Sequence, residues 1–228
     1  MHAPQFGPPG GPGPDIRIRL LGEPFHAAAP FLRVLVLPNS AGLGPSPLAY
    51  SISKELSAVL CYRPNPHTYD AVVLDAAFTQ VWGLSKQDLW FTALANMRYE
   101  SFEPQVFQTT ADTEVTVVHG MTWPGTAHVM RLVDLIHGPA PFGAVVMLPN
   151  SNTMMFAVLR SKRSLPIIPF IFQTFQSLAA DAPPLTDHLI WWRDGSVRAM
   201  GTRVGQGGSV EIAQSTEFSF LLDHELPD

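Results

Sequence analysis

The feature that most limits the fold of this chain is a series of short apolar runs, each ending in a turn of Pro, Asn, Gly or Asp residues. Such runs are typical of β-strands, and two runs joined by a tight turn are typical of a hairpin. The Asp194-Gly195 pair between two of the runs is the strongest two-residue signal for such a turn. The pattern therefore predicts a largely antiparallel sheet that is built from hairpins.

The predicted strands fall into two groups, those in hairpins and those without a neighbouring partner in sequence. Three hairpins are predicted, joining 56–62 with 69–74, 143–148 with 153–159, and 188–193 with 196–200. Single strands are predicted at 15–20, where apolar and polar residues alternate, and at 31–37, 114–118 and 217–222.

The tetrapeptide Leu-Pro-Asn-Ser occurs twice, at 37–40 and at 148–151. Proline cannot donate to a strand ladder, and Asn and Ser side chains form turn hydrogen bonds, so each copy is expected to end a strand. The residues that follow differ completely, AGLGPSP after one copy and NTMMFAV after the other. We interpret the two copies as strand-ending turns and not as a repeated site.

The clearest predicted helix begins at Ser85, which can cap it, with Asp88 three residues later as a short version of the capping box. Leu84 and Leu89 stand at the positions of a hydrophobic staple. The helix continues to Met97 and is apolar nearly all round, so it is expected to be buried.

Two further helices are predicted in the second half of the chain. Residues 126–137 are followed by Gly138 and Pro139, which are typical of a helix C-terminus. Residues 166–180 form the third helix, with Pro169 tolerated only in its first turn. Together the elements predict an α+β (mixed α/β) fold with about three helices on the hairpin-built sheet.

The chain is expected to have one globular domain, residues 15–228, after a disordered leader rich in Pro and Gly at residues 1–14. The leader has neither the charged nor the apolar region of a signal peptide, and no apolar run is long enough to span a membrane. A cytoplasmic location is therefore expected.

The charge pattern excludes one class of partner. The net charge is −5, and no basic footprint for nucleic acid is visible. The one basic cluster, Arg160, Lys162 and Arg163, fits a solvated loop, with a phosphate or acidic partner as the alternative. Hydrophobic residues make up 46% of the chain and charged residues only 14%, which fits either a surface hidden against a partner or a well-buried domain with neutral loops.

No metal, cofactor or thiol site is predicted. The single cysteine, Cys61, lies in an apolar run and is expected to be buried. The histidines lack the spacing of metal-binding motifs, and Asp187 and His188, as neighbours on a strand, are expected to face opposite sides. A metal site assembled from distant residues stays open. The stretch from Gly205 to Gly208 lacks the lysine of a phosphate-binding loop.

The sequence favours a protein without catalytic activity. It contains no G-x-S-x-G motif. His119 is the one candidate general base, because it ends a strand just before a helix, and Ser40 and Asp134 are the partners that a triad would need. The alternative is a strand-end histidine that makes an ordinary hydrogen bond.

Aromatic residues are the candidate binding surface. Trp191 and Trp192 are neighbours on a strand and must face opposite sides, so one is exposed if the sheet is covered on one face only. Trp123 lies in a strand–helix connection. The aromatic residues of the third helix, Phe170, Phe172 and Phe175, cannot share one narrow stripe, so part of that helix is expected to contact another subunit. Burial within this chain is the alternative for all of them.

These observations favour a non-catalytic protein-binding module of the immunity, chaperone or assembly-accessory type, which binds a protein partner or a second copy of itself. Two alternatives stay open. One is a small hydrolase or transferase that uses His119 as general base. The other is a small-molecule sensor domain with an apolar cavity and a few converging polar groups.

Three segments resemble an uncharacterised bacterial family, the YtpQ-like family: WGLSKQDLWFTALANMR, GAVVMLPNSNTMMFAVL and LIWWRDGSVRAM. They occur in the family's order, and the resemblance extends over about Ala58–Met200. This chain departs from the family pattern at several turns. The resemblance implies a fold and a cytoplasmic, bacterial setting. It implies no activity, because the family is a domain of unknown function.

Overall fold

The computed structural model describes residues 14–68, 70–110, 113–179, 183–204 and 210–228. Nearly all of the predicted leader and the Gly-rich stretch 205–208 lie outside these residues. Pro14 is the exception, because it is the first residue of a helix.

The described residues contain twelve strands. They are β1 Leu32–Pro38, β2 Ala49–Ser51, β3 Leu56–Tyr62, β4 Val72–Val73, β5 Phe102–Thr110, β6 Thr113–Gly120, β7 Ala144–Leu148, β8 Thr153–Val158, β9 Thr186–Arg193, β10 Ser196–Met200, β11 Thr202–Val204 and β12 Val210–Ile212.

The α-helices are α1 Pro14–Leu21, α2 Phe25–Ala28, α3 Ala76–Trp82, α4 Lys86–Asn96, α5 Ile167–Ala179 and α6 Thr216–Phe220, the last followed by a π-helical turn at Leu221–Glu225. Shorter 3-10 segments connect them, and the longest of these is Gly125–Asp134. Within the described residues, no helix combines the length and the apolar character that crossing a membrane requires.

The strands form two large antiparallel sheets. In the four-stranded sheet, β3 is central, with β1 on one side and both β2 and β4 on the other. The six-stranded sheet has the order β10-β9-β7-β8-β6-β5. A separate pair, β11 and β12, completes the strands. The fold is thus mixed α+β with hairpins, as predicted, but it has more than one large sheet and more helices than three.

The six-stranded sheet is covered on both faces in its centre. One face carries Val146 and Trp192 and shares a hydrophobic cluster with the four-stranded sheet. The other face carries Val145 and Trp191 and packs against α5 and the C-terminal helical turn. Because burial of apolar side chains on both faces removes the most surface from water, the central strands are almost continuously apolar in sequence.

The two sheets are joined at the turn that follows β6. The Trp123 indole donates a hydrogen bond to the Val34 carbonyl of β1 over 2.7 Å. The Asn152 side chain donates to the Gly120 carbonyl over 2.9 Å. A β-carbon at Gly120 would lie 1.9 Å from the Trp123 carbonyl oxygen, so this tight turn accepts only glycine there.

A buried ion cluster lies beside this joint. Glu100, just before β5, accepts from the Arg33 Nε over 2.5 Å and from the Arg63 Nη1 over 2.8 Å. Thr122 donates to the same carboxylate over 2.7 Å. Arg33, Arg63 and Glu100 are all buried. Each residue comes from a different part of the chain, so the cluster links β1 and the end of β3 in the four-stranded sheet to the start of β5.

Several sequence predictions are confirmed. All three hairpins form, as β3–β4, β7–β8 and β9–β10. Both copies of Leu-Pro-Asn-Ser end a strand, since β1 stops at Pro38 and β7 at Leu148. The capping box is present, because Ser85 accepts from the Asp88 amide and Asp88 from the Ser85 amide. The α4 helix is not buried all round, however, since Phe91 is 58% exposed.

Two predicted strands are wrong. Residues 15–20 form part of α1, because Ile16 and Leu20 are one helical turn apart and pack against the same core. Residues 217–222 form α6 and its turn, in which Phe218 and Leu221 enter the core together. The Ser215 hydroxyl accepts from the Phe218 amide and so starts this helix.

The second predicted helix, residues 126–137, does not form a regular α-helix. Residues 125–134 form a 3-10 segment that is interrupted at Arg131, whose φ is −135°. The sequence analysis predicted no element at six further places, which form α2, β2, α3, β5, β11 and β12.

We predict that Glu100→Ala destabilises the fold by about 3–5 kcal/mol, because it leaves two buried guanidinium groups without their carboxylate. Burial raises the pKa of Glu100, but hydrogen bonds from Thr122 and Arg33 and the two nearby positive charges outweigh this and lower it. The stabilisation should therefore be present at neutral pH and be lost on acidification below 4.5, the ordinary pKa of this group. Urea unfolding at a series of pH values measures both effects.

The matched control is Glu211→Ala, which removes an exposed ion pair with Arg203. The midpoint of its urea unfolding should stay close to that of the wild type, because exposed ion pairs contribute little to stability. Equal loss of stability in both variants would contradict a special role for the buried cluster.

Candidate protein-binding site

The outermost strand of the six-stranded sheet, β5, has a free edge. Within the part of the chain that the structure describes, it pairs with β6 on one side only, and it is nine residues long. The opposite edge strand, β10, has five residues, and its Arg198 is paired with Glu217 of α6 over 2.5 Å. Of the two edges, β5 thus presents the longer row of unpaired backbone groups.

Apolar side chains are exposed on both faces of β5. Val106 is 55% exposed and lies opposite Thr116, whereas Phe107 is 47% exposed and lies opposite Val115. Because neighbouring residues alternate, these two side chains stand on opposite faces. Beyond Phe102, the hydrophobic clusters that cover the centre of the sheet do not include β5.

The beginning of β5 is firmly held. The Ser101 amide donates to the Thr122 hydroxyl over 2.8 Å, and the Met121 amide donates to the Ser101 carbonyl over 3.0 Å. Thr122 itself belongs to the buried ion cluster. The adjoining residues Tyr99 and Met121 are exposed apolar side chains. A strand with such an anchored start is preformed, which lowers the ordering cost of binding.

Sequence reasoning missed β5, although a signal was present. The segment contains Val106, Phe107 and two threonines, which favour strands. Pro104 and the polar residues hide the alternation, but a proline inside such a run indicates an edge strand.

His128 lies under the start of β5. Its ring meets the Phe102 ring edge-on, with centroids 4.9 Å apart, and its buried Nε2 has no hydrogen-bond partner among the residues that the structure describes. Burial, assisted by the charge of Arg131, lowers the pKa of His128 to about 4, although the charges of Glu100 and Asp134 act in the opposite direction. The neutral ring is therefore the form that fits beneath β5.

The catalytic candidate His119 has a simple environment. Its Nδ1 is 3.0 Å from the Thr153 hydroxyl. Its neighbour across the ladder is Glu103, which is exposed and has no hydrogen bond to the ring among the described residues. Asp134 pairs with Arg131, and the Ser40 hydroxyl has no described bond to His119. The three residues of the conceivable triad are not brought together.

The predicted aromatic surface is mostly interior. Trp191 and Trp192 face opposite sides as predicted, but both are buried because both faces of the sheet are covered. Trp123 is buried in the joint between the sheets. In α5, Phe172 and Phe175 are buried and stacked at 5.9 Å, whereas Phe170 is 40% exposed. Exposed apolar side chains are therefore found on β5 and not at these tryptophans.

Two open grooves among the described residues could hold a small molecule. One, of about 560 Å³, has Trp191 and Phe220 in its lining and is flanked by the Arg193–Glu225 pair, 2.8 Å apart. The other, of about 480 Å³, is lined in part by Arg160 and His137. The Arg160 guanidinium donates to the carbonyls of Pro139 and His137, so it braces a loop. Neither groove has the enclosed apolar form that a sensor cavity needs.

Cys61 is buried, and its thiol donates a weak hydrogen bond to the Arg33 carbonyl at 3.4 Å. Burial raises the pKa of Cys61 to about 12, despite the nearby charges of Arg33 and Arg63. The thiolate needed for nucleophilic or redox chemistry is therefore unfavourable.

We predict that Cys61 does not react with a disulfide reagent such as DTNB at pH 8 in the folded protein, because the thiol is buried and protonated. In urea, one thiol per chain should react within minutes. Rapid reaction of the folded protein would contradict the buried position.

We predict that acidification between pH 6.5 and about 4 destabilises the fold through His128. In that range His128 is protonated in the unfolded chain and neutral in the folded protein. Its contribution to the free energy of unfolding therefore falls by up to about 1.4 kcal/mol for each pH unit of acidification. His128→Gln should flatten the pH dependence of urea unfolding. The control His67→Gln, at an exposed histidine, should retain the wild-type slope, and equal slopes in all three proteins would contradict the prediction.

Comparison with known proteins identifies no relative: no protein-family model, no curated protein and no solved structure matches this chain.

Proposed function

We propose that this chain is a non-catalytic protein-binding module in which β5 is the binding element. The observation that carries the proposal is the free nine-residue edge of β5 with apolar side chains exposed on both faces. The partner contributes an extended segment that pairs with this edge as an additional strand.

The backbone of β5 supports pairing over part of its length. Proline in an edge strand turns its missing amide toward solvent, so Pro104 removes one donor from the free edge. Every second residue faces the same side, and Val106 and Gln108 therefore present the next outward amides. We place the centre of the pairing at Val106.

The side chains of β5 set the chemistry of the partner. The strand has one charged residue, Glu103, and its exposed apolar residues Val106 and Phe107 lie beyond it. A partner strand with apolar or aromatic residues opposite these positions covers both faces, and cross-strand pairs of this kind stabilise antiparallel sheets. A basic side chain near Glu103 would add electrostatic complementarity.

The catalytic alternative is less well supported. Among the described residues, His119 has a hydrogen bond to a threonine and none to a carboxylate, and Cys61 is buried and protonated. Relationship to the YtpQ-like family stays part of the proposal, as do the cytoplasmic setting and the immunity, chaperone or assembly-accessory role. None of these assigns an activity to the chain.

The test compares Val106→Lys with Val81→Lys. Both valines are about half exposed, and Val81 lies on α3, away from β5. The wild type and the Val81 variant should retain the same stoichiometric protein partner from host lysate, and Val106→Lys should weaken binding at least tenfold. Amide exchange of the purified complex should show protection within 102–110.

Two results would count against β5 as the binding element. One is a complex that survives Val106→Lys unchanged. The other is a complex in which amides elsewhere in the chain are protected from exchange and those of β5 are not. Sedimentation of the protein alone tests whether the added strand comes from a second copy, and a dimer that Val106→Lys dissociates would assign the partner to this same chain.

A further inference from the structure

We propose that Glu55, Asp187 and His188 form a binding site for a divalent transition-metal ion, for which Zn²⁺ is the appropriate probe. The site lies between the two large sheets and involves no residue of β5. It is therefore independent of the proposed protein-binding function.

The three side chains converge from separate parts of the chain. Glu55 lies in the turn between β2 and β3, and Asp187 and His188 lie near the start of β9. The His188 Nε2 is 3.9 Å from a Glu55 carboxylate oxygen and 3.8 Å from an Asp187 carboxylate oxygen. One ligand atom from each residue lies within 4.8 Å of both others.

An irregularity in β9 explains how two consecutive residues take part. Val146 of β7 pairs with Ile190, but Leu148 pairs with Thr186, so three residues of β9 stand opposite one residue of β7. Such a bulge interrupts the alternation of faces and redirects side chains, and bulges are over-represented next to functional sites. The expectation that Asp187 and His188 point away from each other is wrong for this reason.

Hydrogen bonds fix the backbone on both sides of the site. The Asn39 amide donates to the Glu55 carbonyl over 2.7 Å, and the Asn39 side chain donates to the Lys54 carbonyl over 2.9 Å. On the other side, the Thr202 hydroxyl donates to the Asp187 carbonyl over 2.5 Å. The residues that carry the ligands are thus held while the carboxylates stay free to move.

The surroundings leave room and negative charge for a cation. The residue beside the imidazole is Gly201, and even a β-carbon there would lie 3.9 Å from the His188 Nε2. Among the described residues, no Lys or Arg forms an ion pair with Glu55 or Asp187. Two carboxylates therefore meet beside one imidazole without a fixed positive charge to neutralise them.

The donor set selects the class of ion. Zinc is commonly bound by imidazole nitrogen and carboxylate oxygen, and three protein ligands leave a fourth position for water. Mg²⁺ and Ca²⁺ prefer six or more oxygen ligands, so a site with an imidazole and two carboxylates disfavours both.

Only small movements are needed to close the site. Tetrahedral zinc ligands at their usual bond lengths lie about 3.3 Å from one another. The Glu55 and Asp187 side chains are 66% and 65% exposed, so rotation of these carboxylates can bring their oxygens to that separation. The bound ion would cross-link the β2–β3 turn of one sheet to β9 of the other.

The experiment is calorimetric titration of the full chain, without a histidine tag, with Zn²⁺, Mg²⁺ and Ca²⁺. We expect one equivalent of Zn²⁺ to bind and the other two ions to bind much more weakly. Glu55→Gln, Asp187→Asn and His188→Gln should each weaken Zn²⁺ binding at least tenfold. The control His67→Gln removes an exposed histidine outside the site and should bind like the wild type.

Thermal unfolding supplies a second readout, because an ion that binds only the folded state raises its melting temperature. Zn²⁺ should raise the melting temperature of the wild type and of His67→Gln, and raise it less in the three site variants. The proposal is overturned if the wild type binds no Zn²⁺ at micromolar concentrations. It is equally overturned if the folded site variants bind Zn²⁺ as tightly as the wild type.

Discussion

The carboxylate of Glu100 is the contact on which the arrangement of the two sheets depends. A charge buried in protein is tolerated only when it is paired and hydrogen-bonded, and Glu100 meets this condition through Arg33, Arg63 and Thr122 together. These three partners come from β1, the end of β3 and the turn after β6. Satisfying one carboxylate therefore fixes three parts of the chain at the same point. Glu100 lies just before Phe102, the first residue of β5. The ion cluster therefore also fixes the position at which the free edge begins.

Local sequence signals predicted the elements whose hydrogen bonds are local. The Asp194-Gly195 hairpin and the Ser85 cap are examples, because neighbouring residues complete each of them. The segment 217–222 shows why other predictions failed. Alternating aromatic and polar residues resemble a strand, but Phe218 and Leu221 are also spaced for one face of a helix. Packing against the core beside α5 decides between the two patterns, and that contact is not visible in the sequence.

The candidate sites were harder to predict, because each depends on contacts between distant segments. Whether Trp191 or Trp192 is exposed depends on what covers each face of the sheet, and both faces prove to be covered. Whether Asp187 and His188 can share a ligand depends on a bulge that is set by the register with β7. Periodicity describes regular strands, so it gives the wrong orientation where a strand is irregular.

Both proposed sites lie where a regular ladder stops. The free edge of β5 leaves backbone groups unpaired, and the bulge in β9 turns two polar side chains toward the opposite sheet. The two Leu-Pro-Asn-Ser turns support such places in different ways. The Asn39 amide donates to the Glu55 carbonyl and so fixes the turn between β2 and β3. The turn after β7 contains Asn152, whose side chain donates to the Gly120 carbonyl where the two sheets are joined. The same four residues follow the apolar part of two strands, but Asn39 bonds to Lys54, whereas Asn150 accepts from the Asn152 amide within its own turn, so each turn has its own role. A strand ending that is held by side-chain hydrogen bonds can present polar groups without unfolding the sheet behind it.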